Sequence, residues 1–309
     1  VSGSRLCRCA SVRLEADSGE DDIDSEELIK KIEALEEGST VAWFPCGEGQ
    51  MPLRRWENRS RTAADTVVLL HGGSGSWLHW FRNVEALRQN FDVVALDLPG
   101  LGDAAMCPVE SDADSAAAVT SDALLSSIAD DFHIVAFSWG CTVTALMMQT
   151  IEPRLKSVML TGPASVGKLP HRAQMKPLIK RTPEMSREEV LAIQRENLSR
   201  LMIHDPARID DLAVLLQDLN TTRARFSSPQ YARATLVVDG FTGTSTPLFV
   251  NYGEYDAPAY PDLEARRAVF HSIRPDVRFE IVDDAGHWLQ YEQADVFNHR
   301  CIEWLLLHR

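Results

Sequence analysis

No apolar run in this chain of 309 residues approaches the roughly 20 that a helix needs to span a bilayer, so no membrane partner is expected. Positive charge is in deficit: 31 Lys and Arg face 45 Asp and Glu, for a formal net charge of −14. Binding phosphate needs a clustered cationic face that no stretch here supplies, so nucleic acid is not an expected partner either. Cysteine is sparse and scattered. Cys7, Cys9, Cys46, Cys107, Cys141 and Cys301 form no C-x-x-C pair and have no histidine at ligand spacing, which implies reduced thiols rather than a disulfide framework or a zinc site. Neither a metal nor a cofactor is expected. What the chain does hold is apolar bulk: 45 % hydrophobic residues supply a large core, and the length suits one catalytic domain carrying an insertion.

The segment richest in chemistry is Ile134-Val135-Ala136-Phe137-Ser138-Trp139-Gly140, an apolar strand pattern that ends on a serine and runs at once into the helical Cys141 to Met148. A serine at such a strand-to-helix corner has its hydroxyl pushed into a cleft, which is how a nucleophile is presented. The corner needs small residues two positions either side, and Ala136 and Gly140 are those residues. The usual pattern is G-x-S-x-G, from which this copy departs at its first glycine. Cys141 is read as a small residue opening a buried helix.

Three more pieces follow in the chain order this chemistry requires. The strand Thr66–Leu70 feeds His71-Gly72-Gly73-Ser74-Gly75, a turn whose backbone N–H groups can meet a developing oxyanion. The strand from Pro247 to Tyr252 is followed by Gly253-Glu254-Tyr255-Asp256, and the strand from Val277 to Val282 by Asp283-Asp284-Ala285-Gly286-His287-Trp288. An acid past one strand can orient an imidazole past the next, which makes Ser138 the nucleophile, His287 the base and Asp256 the acid, with Glu254 as the competing carboxylate. The N–H of Trp139, together with that of Gly73 or Ser74, forms the expected oxyanion hole. Gly72, His79, Phe137, Arg223 and Trp288 are the candidate substrate contacts, Arg223 (or Arg225) as a bidentate partner for a carboxylate and Trp288 as a stacking face. His79 reads as a satisfied pocket histidine among Trp77, Trp80 and Phe81.

Residues from about Met51 to the C-terminus resemble the α/β-hydrolase superfamily, the turn Asp97-Leu98-Pro99-Gly100-Leu101-Gly102 being a further landmark. Within that resemblance, Trp77 to Asn83 and His287 to Glu292 are similar to stretches of bacterial meta-cleavage product hydrolases, which split carbon–carbon bonds in ring-fission products. Phe137 and His79 stand where those enzymes carry asparagine. Pro258 after Asp256 fits the loop pattern that the resemblance implies.

The alternation of strands (near Val41–Phe44 and Leu53–Glu57, then 66–70, 92–97, 133–137 and 157–161) with helical stretches predicts an α/β fold: a mostly parallel, twisted sheet with helices on both faces. Ligands bind outside the carboxyl ends of such strands, where the motifs fall. Between 167 and 243 the strand signal vanishes, and that span is expected to be a helical cap, with Ser186-x-x-Glu189 opening one helix and Asp205-Pro206 capping another through Leu219. The core would then occupy 39–166 and 244–309. Residues 1–38 read as a tail and an acidic helix in which Asp24-x-x-Glu27 is the capping box, Leu28, Ile32 and Leu35 the apolar stripe and Gly38 the stop. Arg5, Arg8 and Arg13 with several serines give residues 1–14 some flavour of a transit segment, so an organelle is the alternative to a cytoplasmic location.

The expected activity is cofactor-independent hydrolysis of an ester of a small, partly aromatic substrate through an acyl-enzyme. Carbon–carbon hydrolysis of a vinylogous diketone is the second reading, and a non-catalytic ligand receptor on the same shell the third. A small molecule is the expected partner, with a homodimer possible.

Overall fold

The computed structural model describes residues 22–60, 64–170 and 175–309. The arginine-bearing segment 1–14, with Cys7 and Cys9, lies outside them. Helix α1 (Asp22–Glu37) is followed by the hairpin β1 (Thr40–Cys46) and β2 (Gly49–Trp56). Asp24 is helical, not the residue before the helix as its spacing to Glu27 suggested, whereas the chain leaves the helix at Gly38 as expected. Ile32 is buried and Leu28 and Leu35 pack beside it, while the Leu35 carbonyl accepts the indole N–H of Trp56 at 2.7 Å.

Strands β3 (Thr66–Leu70), β4 (Asp92–Leu96), β5 (Phe132–Phe137), β6 (Leu155–Thr161), β7 (Leu248–Gly253) and β8 (Arg278–Val282) complete one eight-stranded sheet in the order β1-β2-β4-β3-β5-β6-β7-β8. β2 pairs antiparallel with both β1 and β4, and every other pairing is parallel. Helix α2 (Val84–Leu87) precedes β4, α3 (Ala113–Ser127) precedes β5, and α4 (Trp139–Ile151) joins β5 to β6. Alternation along the strands explains why apolar runs occupy the middle: Val68, Leu70, Ile134, Ala136, Val158 and Leu160 join one core cluster, and Val67, Leu69, Val135, Phe137 and Met159 the other. A sheet buried on both faces needs both sets.

Between β6 and β7 lie α5 (Arg187–Leu201), α6 (Asp211–Thr222) and α7 (Leu236–Phe241). The Ser186 capping box forms with both reciprocal bonds. Asp205, however, caps only a short 3₁₀ turn at Pro206–Arg208, and α6 starts separately with Asp210 as its N-cap, because the chain needs a bend there to lay α6 against α5. Helix α7 falls inside the predicted cap span yet packs on the core helix α4: a Cβ on Gly240 would lie 2.3 Å from the Ala145 carbonyl oxygen, so only glycine allows that approach. The chain closes with α8 (Leu263–Ile273), α9 (Leu289–Glu292) and α10 (Ala294–Leu307). Among the described residues no helix is long and apolar enough to cross a membrane, and Cys46, Cys107, Cys141 and Cys301 are buried and free.

Candidate active site

Ser138 follows β5 with φ 50° and ψ −108°, a left-handed conformation that costs a residue with a Cβ about 1–3 kcal/mol and persists only where surroundings enforce it. The enforcement is visible. The Ser138 N–H donates to the Thr161 carbonyl of β6 at 2.9 Å, and Gly140 is so close to β3 that a Cβ would stand 2.4 Å from the Leu70 oxygen. Ala136, at the position of the missing glycine, is fully buried in the core cluster. Cys141 is buried beneath the corner, its thiol on the carbonyls of Ala136 (3.3 Å) and Thr161 (3.5 Å), and burial pushes its pKa far up. It is a packing residue.

The corner, the β7 loop and the β8 loop converge. The Ser138 hydroxyl lies 3.0 Å from Nε2 of His287, and Nδ1 of His287 lies 2.8 Å from Oδ2 of Asp256. Asp256 is 1 % and His287 5 % exposed, so the relay is shielded from water except near the half-buried serine. Because a carboxylate can only accept, the Nδ1 proton points at Asp256, which leaves Nε2 free to take the serine proton. Glu254 is turned elsewhere, accepting the Asp284 N–H at 3.2 Å.

Two buried histidines shape the glycine turn after β3. His71 accepts the Leu98 N–H at Nε2 (2.8 Å), so its proton sits on Nδ1 and is donated to the Gly72 carbonyl (2.7 Å). His79 accepts the Gly72 N–H at Nδ1 (3.2 Å). Burial lowers the pKa of His71 and drives that of His79 well below its ordinary value, so both rings stay neutral. Gly72 thus has both backbone groups consumed and offers none to a substrate. The next N–H belongs to Gly73, whose empty side-chain position faces the Trp139 Cβ, 3.8 Å from where a Cβ would be. Trp139 is the first residue of α4, where an N–H has no acceptor within the helix. Gly73 and Trp139 are therefore the adjoining donors, and Ser74 is exposed one residue further out.

Not every predicted contact is at the site. Phe137 is buried with its ring against His287 (4.9 Å between centroids) and His79 (5.3 Å), forming a wall behind the His287 ring. Trp288 is completely buried, donates its indole N–H to the His79 carbonyl at 3.0 Å and stacks on Tyr291 at 4.3 Å, so its face is already covered and cannot stack on substrate. Arg223 follows α6 and pairs with Asp103 at 3.1 Å, while Arg225 bonds the Ala104 carbonyl, because the chain at 225–226 is fastened by two N–H bonds to the Gly100 oxygen. That turn is in turn held by Arg54, which reaches Asp97, Asp103 and Glu36. Burial alone would make Arg54 easier to deprotonate, but these carboxylates outweigh it and raise its pKa.

Five positions with no sequence signal for this role surround these groups. Gly162 (φ 56°) passes over Asp256 and His287: a Cβ there would stand 2.9 Å from Asp256 Oδ2 and 3.0 Å from the His287 ring. Ser228, between α6 and α7, crosses Gly73, its hydroxyl 2.2 Å from where a Gly73 Cβ would be, while Phe226 and Tyr231 lie 5.0 and 5.4 Å from the Trp139 ring. Glu292 accepts three backbone N–H groups around His287. Only the smallness of glycine just past a strand end is readable locally; the rest arises from pieces far apart in the chain.

Comparison with known proteins is consistent with this geometry. Residues 67–300 match the model described as the alpha/beta hydrolase family. A 2-hydroxy-6-oxononadienedioate/2-hydroxy-6-oxononatrienedioate hydrolase of Paraburkholderia phymatum is 25 % identical over 292 residues, covering 87 % of this chain and 96 % of its own. A similarly named hydrolase of Dechloromonas aromatica is 26 % identical over 300 residues, covering 88 % and 98 %. Among solved structures, the esterase RhEst1 from Rhodococcus sp. ECU1013 superposes with a TM-score of 0.69 at 15 % identity, covering 87 % of this chain and 99 % of that one. The meta-cleavage product hydrolase of Pseudomonas fluorescens IP01 gives a TM-score of 0.67 at 18 % identity, covering 87 % and 98 %.

Proposed function

The chain belongs to the alpha/beta hydrolase family, and from that premise we propose that it is a cofactor-independent serine hydrolase cleaving the carboxylic ester of a small, partly aromatic substrate through an acyl-enzyme. The observation that carries the reading is the relay itself, Ser138 to His287 at 3.0 Å and His287 to Asp256 at 2.8 Å, set at a strained corner beside two adjoining N–H donors. His287 takes the serine proton as Oγ attacks the carbonyl carbon, and Asp256 stabilises the imidazolium. The N–H groups of Trp139 and Gly73 receive the negative charge that develops on oxygen. Losing one comparable donor costs other serine hydrolases roughly 3–4 kcal/mol of transition-state stabilisation. His287 then returns its proton to the leaving alcohol, and water repeats the sequence on the acyl-enzyme.

The second reading is hydrolysis of a carbon–carbon bond in a ring-fission dienoate, favoured by the names of the relatives and by His287-Trp288-x-Gln290. Against it stand Phe137 in place of a polar residue and the pairing of Arg223 with Asp103 at 3.1 Å, which occupies the arginine that would anchor a second carboxylate. Short-chain aryl esters and a chromogenic dienoate, offered in parallel, separate the two. Ester cleavage with the yellow colour undiminished supports the first; bleaching without esterase activity overturns it. A fluorophosphonate that fails to label Ser138 in folded protein removes both and leaves a binding shell.

A further inference from the structure

His287 sits in a loop gripped from two sides. From the core, the end of β7 comes so close that a Cβ on Gly253 would stand 2.2 Å from the Gly286 oxygen and 2.4 Å from that of Ala285. From the cap, the chain leaving α5 presses on the same loop: a Cβ on Gly286 would lie 2.7 Å from the His204 nitrogen and 2.9 Å from the Met202 oxygen. One buried carboxylate stitches these layers. Oε2 of Glu292 accepts the N–H of Gly286 (2.7 Å) and of His204 (3.1 Å), and Oε1 accepts that of Asp205 (2.8 Å). A second stitch runs from the Trp288 N–H to the Met202 carbonyl at 2.6 Å, so both peptide neighbours of His287 are tied to the cap side.

We propose that Glu292 is a positioning residue for the base: by holding Gly286, His204 and Asp205 together it fixes where the His287 ring stands and couples that position to the seating of the cap. The inference rests on His287 acting as the base. Glu292 touches neither substrate nor the reacting atoms. A buried carboxylate accepting three N–H groups is fully satisfied only as the anion, and its three partners are left without an acceptor if it is removed. Glutamine presents one acceptor oxygen and one NH₂ that faces donors, so it breaks at least one stitch while keeping the volume.

The test is the Glu292→Gln chain, with Glu292→Asp beside it, assayed on a small aryl ester well below the thermal midpoint of each. Expected for Glu292→Gln is a fall in kcat of about tenfold or more with KM within twofold, since the ester's own contacts remain. Glu292→Asp keeps the charge but is one methylene too short to reach both layers, and its kcat falls less. Amide exchange followed by mass spectrometry supplies a readout that does not depend on turnover: the variant should exchange faster at 284–288 and at 202–206 together. Wild-type kcat in either folded variant, or faster exchange confined to one of the two segments, overturns the proposal. If the wild-type protein cleaves no ester and takes up no fluorophosphonate, the reading of function fails instead, and the paired exchange response still decides the clamp.

Discussion

Ser138 and His287 are held in place by different parts of the molecule. The serine belongs to the sheet: its N–H is bonded to β6, its helix starts against the β3 carbonyls, and every element that fixes it lies in the core. The histidine belongs to a loop whose two flanking N–H groups are bonded to Glu292 and to Met202 at the end of α5. Close-packed parallel strands are among the stiffest parts of a fold, whereas a cap is seated by a modest set of loop contacts. Ser138 is thus fixed by contacts within the sheet and its helix, whereas the His287 loop is fixed by the end of β7 and the end of α5 together. The geometric requirement between them is narrow, since displacing a reacting group by 1 Å can cost about a hundredfold in rate.

The largest effect should come from the sheet side. Ser138→Ala removes the nucleophile and should lower kcat by roughly 10⁴-fold or more, as loss of a triad member does elsewhere. The hydroxyl is half-buried at a cleft, so the thermal midpoint should hold or rise, because alanine escapes nothing of the φ 50° strain but loses no core contact. Activity near wild type in that variant would falsify the assignment of the nucleophile.

Acid stability sharpens the same contrast. His133 on β5, the nucleophile's own strand, is completely buried, and burial pushes its pKa down from 6.5 to about 4. Above pH 6.5 the ring is neutral folded or unfolded. Between 6.5 and 4 the unfolded chain gains a proton that the folded chain refuses, so stability falls as pH drops through that window and levels off below it. The difference amounts to about 3 kcal/mol from this one residue. Burial lowers His71 and His79 in the same direction, adding to the slope. Urea midpoints measured at pH 7.5 and pH 4.5 should therefore separate, and His133→Asn should narrow the gap; coincident midpoints in the wild-type protein would rule this out.

Gly162 lies at the seam between the two halves, over the bond from Asp256 to His287. Gly162→Ala must push the carboxylate or the ring aside and also place a Cβ at φ 56°. A ten- to hundredfold loss of kcat is expected, smaller than for the serine because all three relay groups survive. Labelling of Ser138 by a fluorophosphonate should slow in proportion. Unchanged labelling and turnover would mean that the relay tolerates movement that the comparison says it does not.

Legibility in the sequence follows the same division. The strands and the Ser138 corner could be read because each obeys a local rule: apolar runs for buried parallel strands, small residues where a strand turns into a helix, Ser186 with Glu189 at a helix start. The order of serine, acid and histidine, each just past a strand, is what made those three side chains candidates before their distances were known. What stayed hidden depends on distant pieces meeting. Trp288 reads equally well as a stacking face or a packing residue until Tyr291 and the His79 carbonyl are seen to occupy it. Gly162 and Glu292 resemble any loop glycine and any helix acid. The Asp205 cap failed for a related reason: a capping residue followed by proline starts a turn, and whether the turn grows into a long helix is settled by what the next residues pack against.

The smallest effect separates Arg223 from both halves. Its pairing with Asp103 is about one third exposed at each partner, and ion pairs of that kind are worth about 1 kcal/mol or less after side-chain ordering and screening. Asp103 keeps Arg54 as a second partner at 3.0 Å, so removing Arg223 strands no buried charge. Arg223→Ala should therefore change stability by less than about 1 kcal/mol and leave kcat/KM for a neutral aryl ester within twofold. The informative comparison adds an ester carrying a free carboxylate. If Arg223 remains fastened to the Asp103 turn during catalysis, the variant treats both esters as the wild type does. A tenfold loss confined to the anionic ester would show that the arginine leaves Asp103 to meet substrate, which would turn the cap edge at 223–228 from a structural fastening into part of the binding site and revive the second reading.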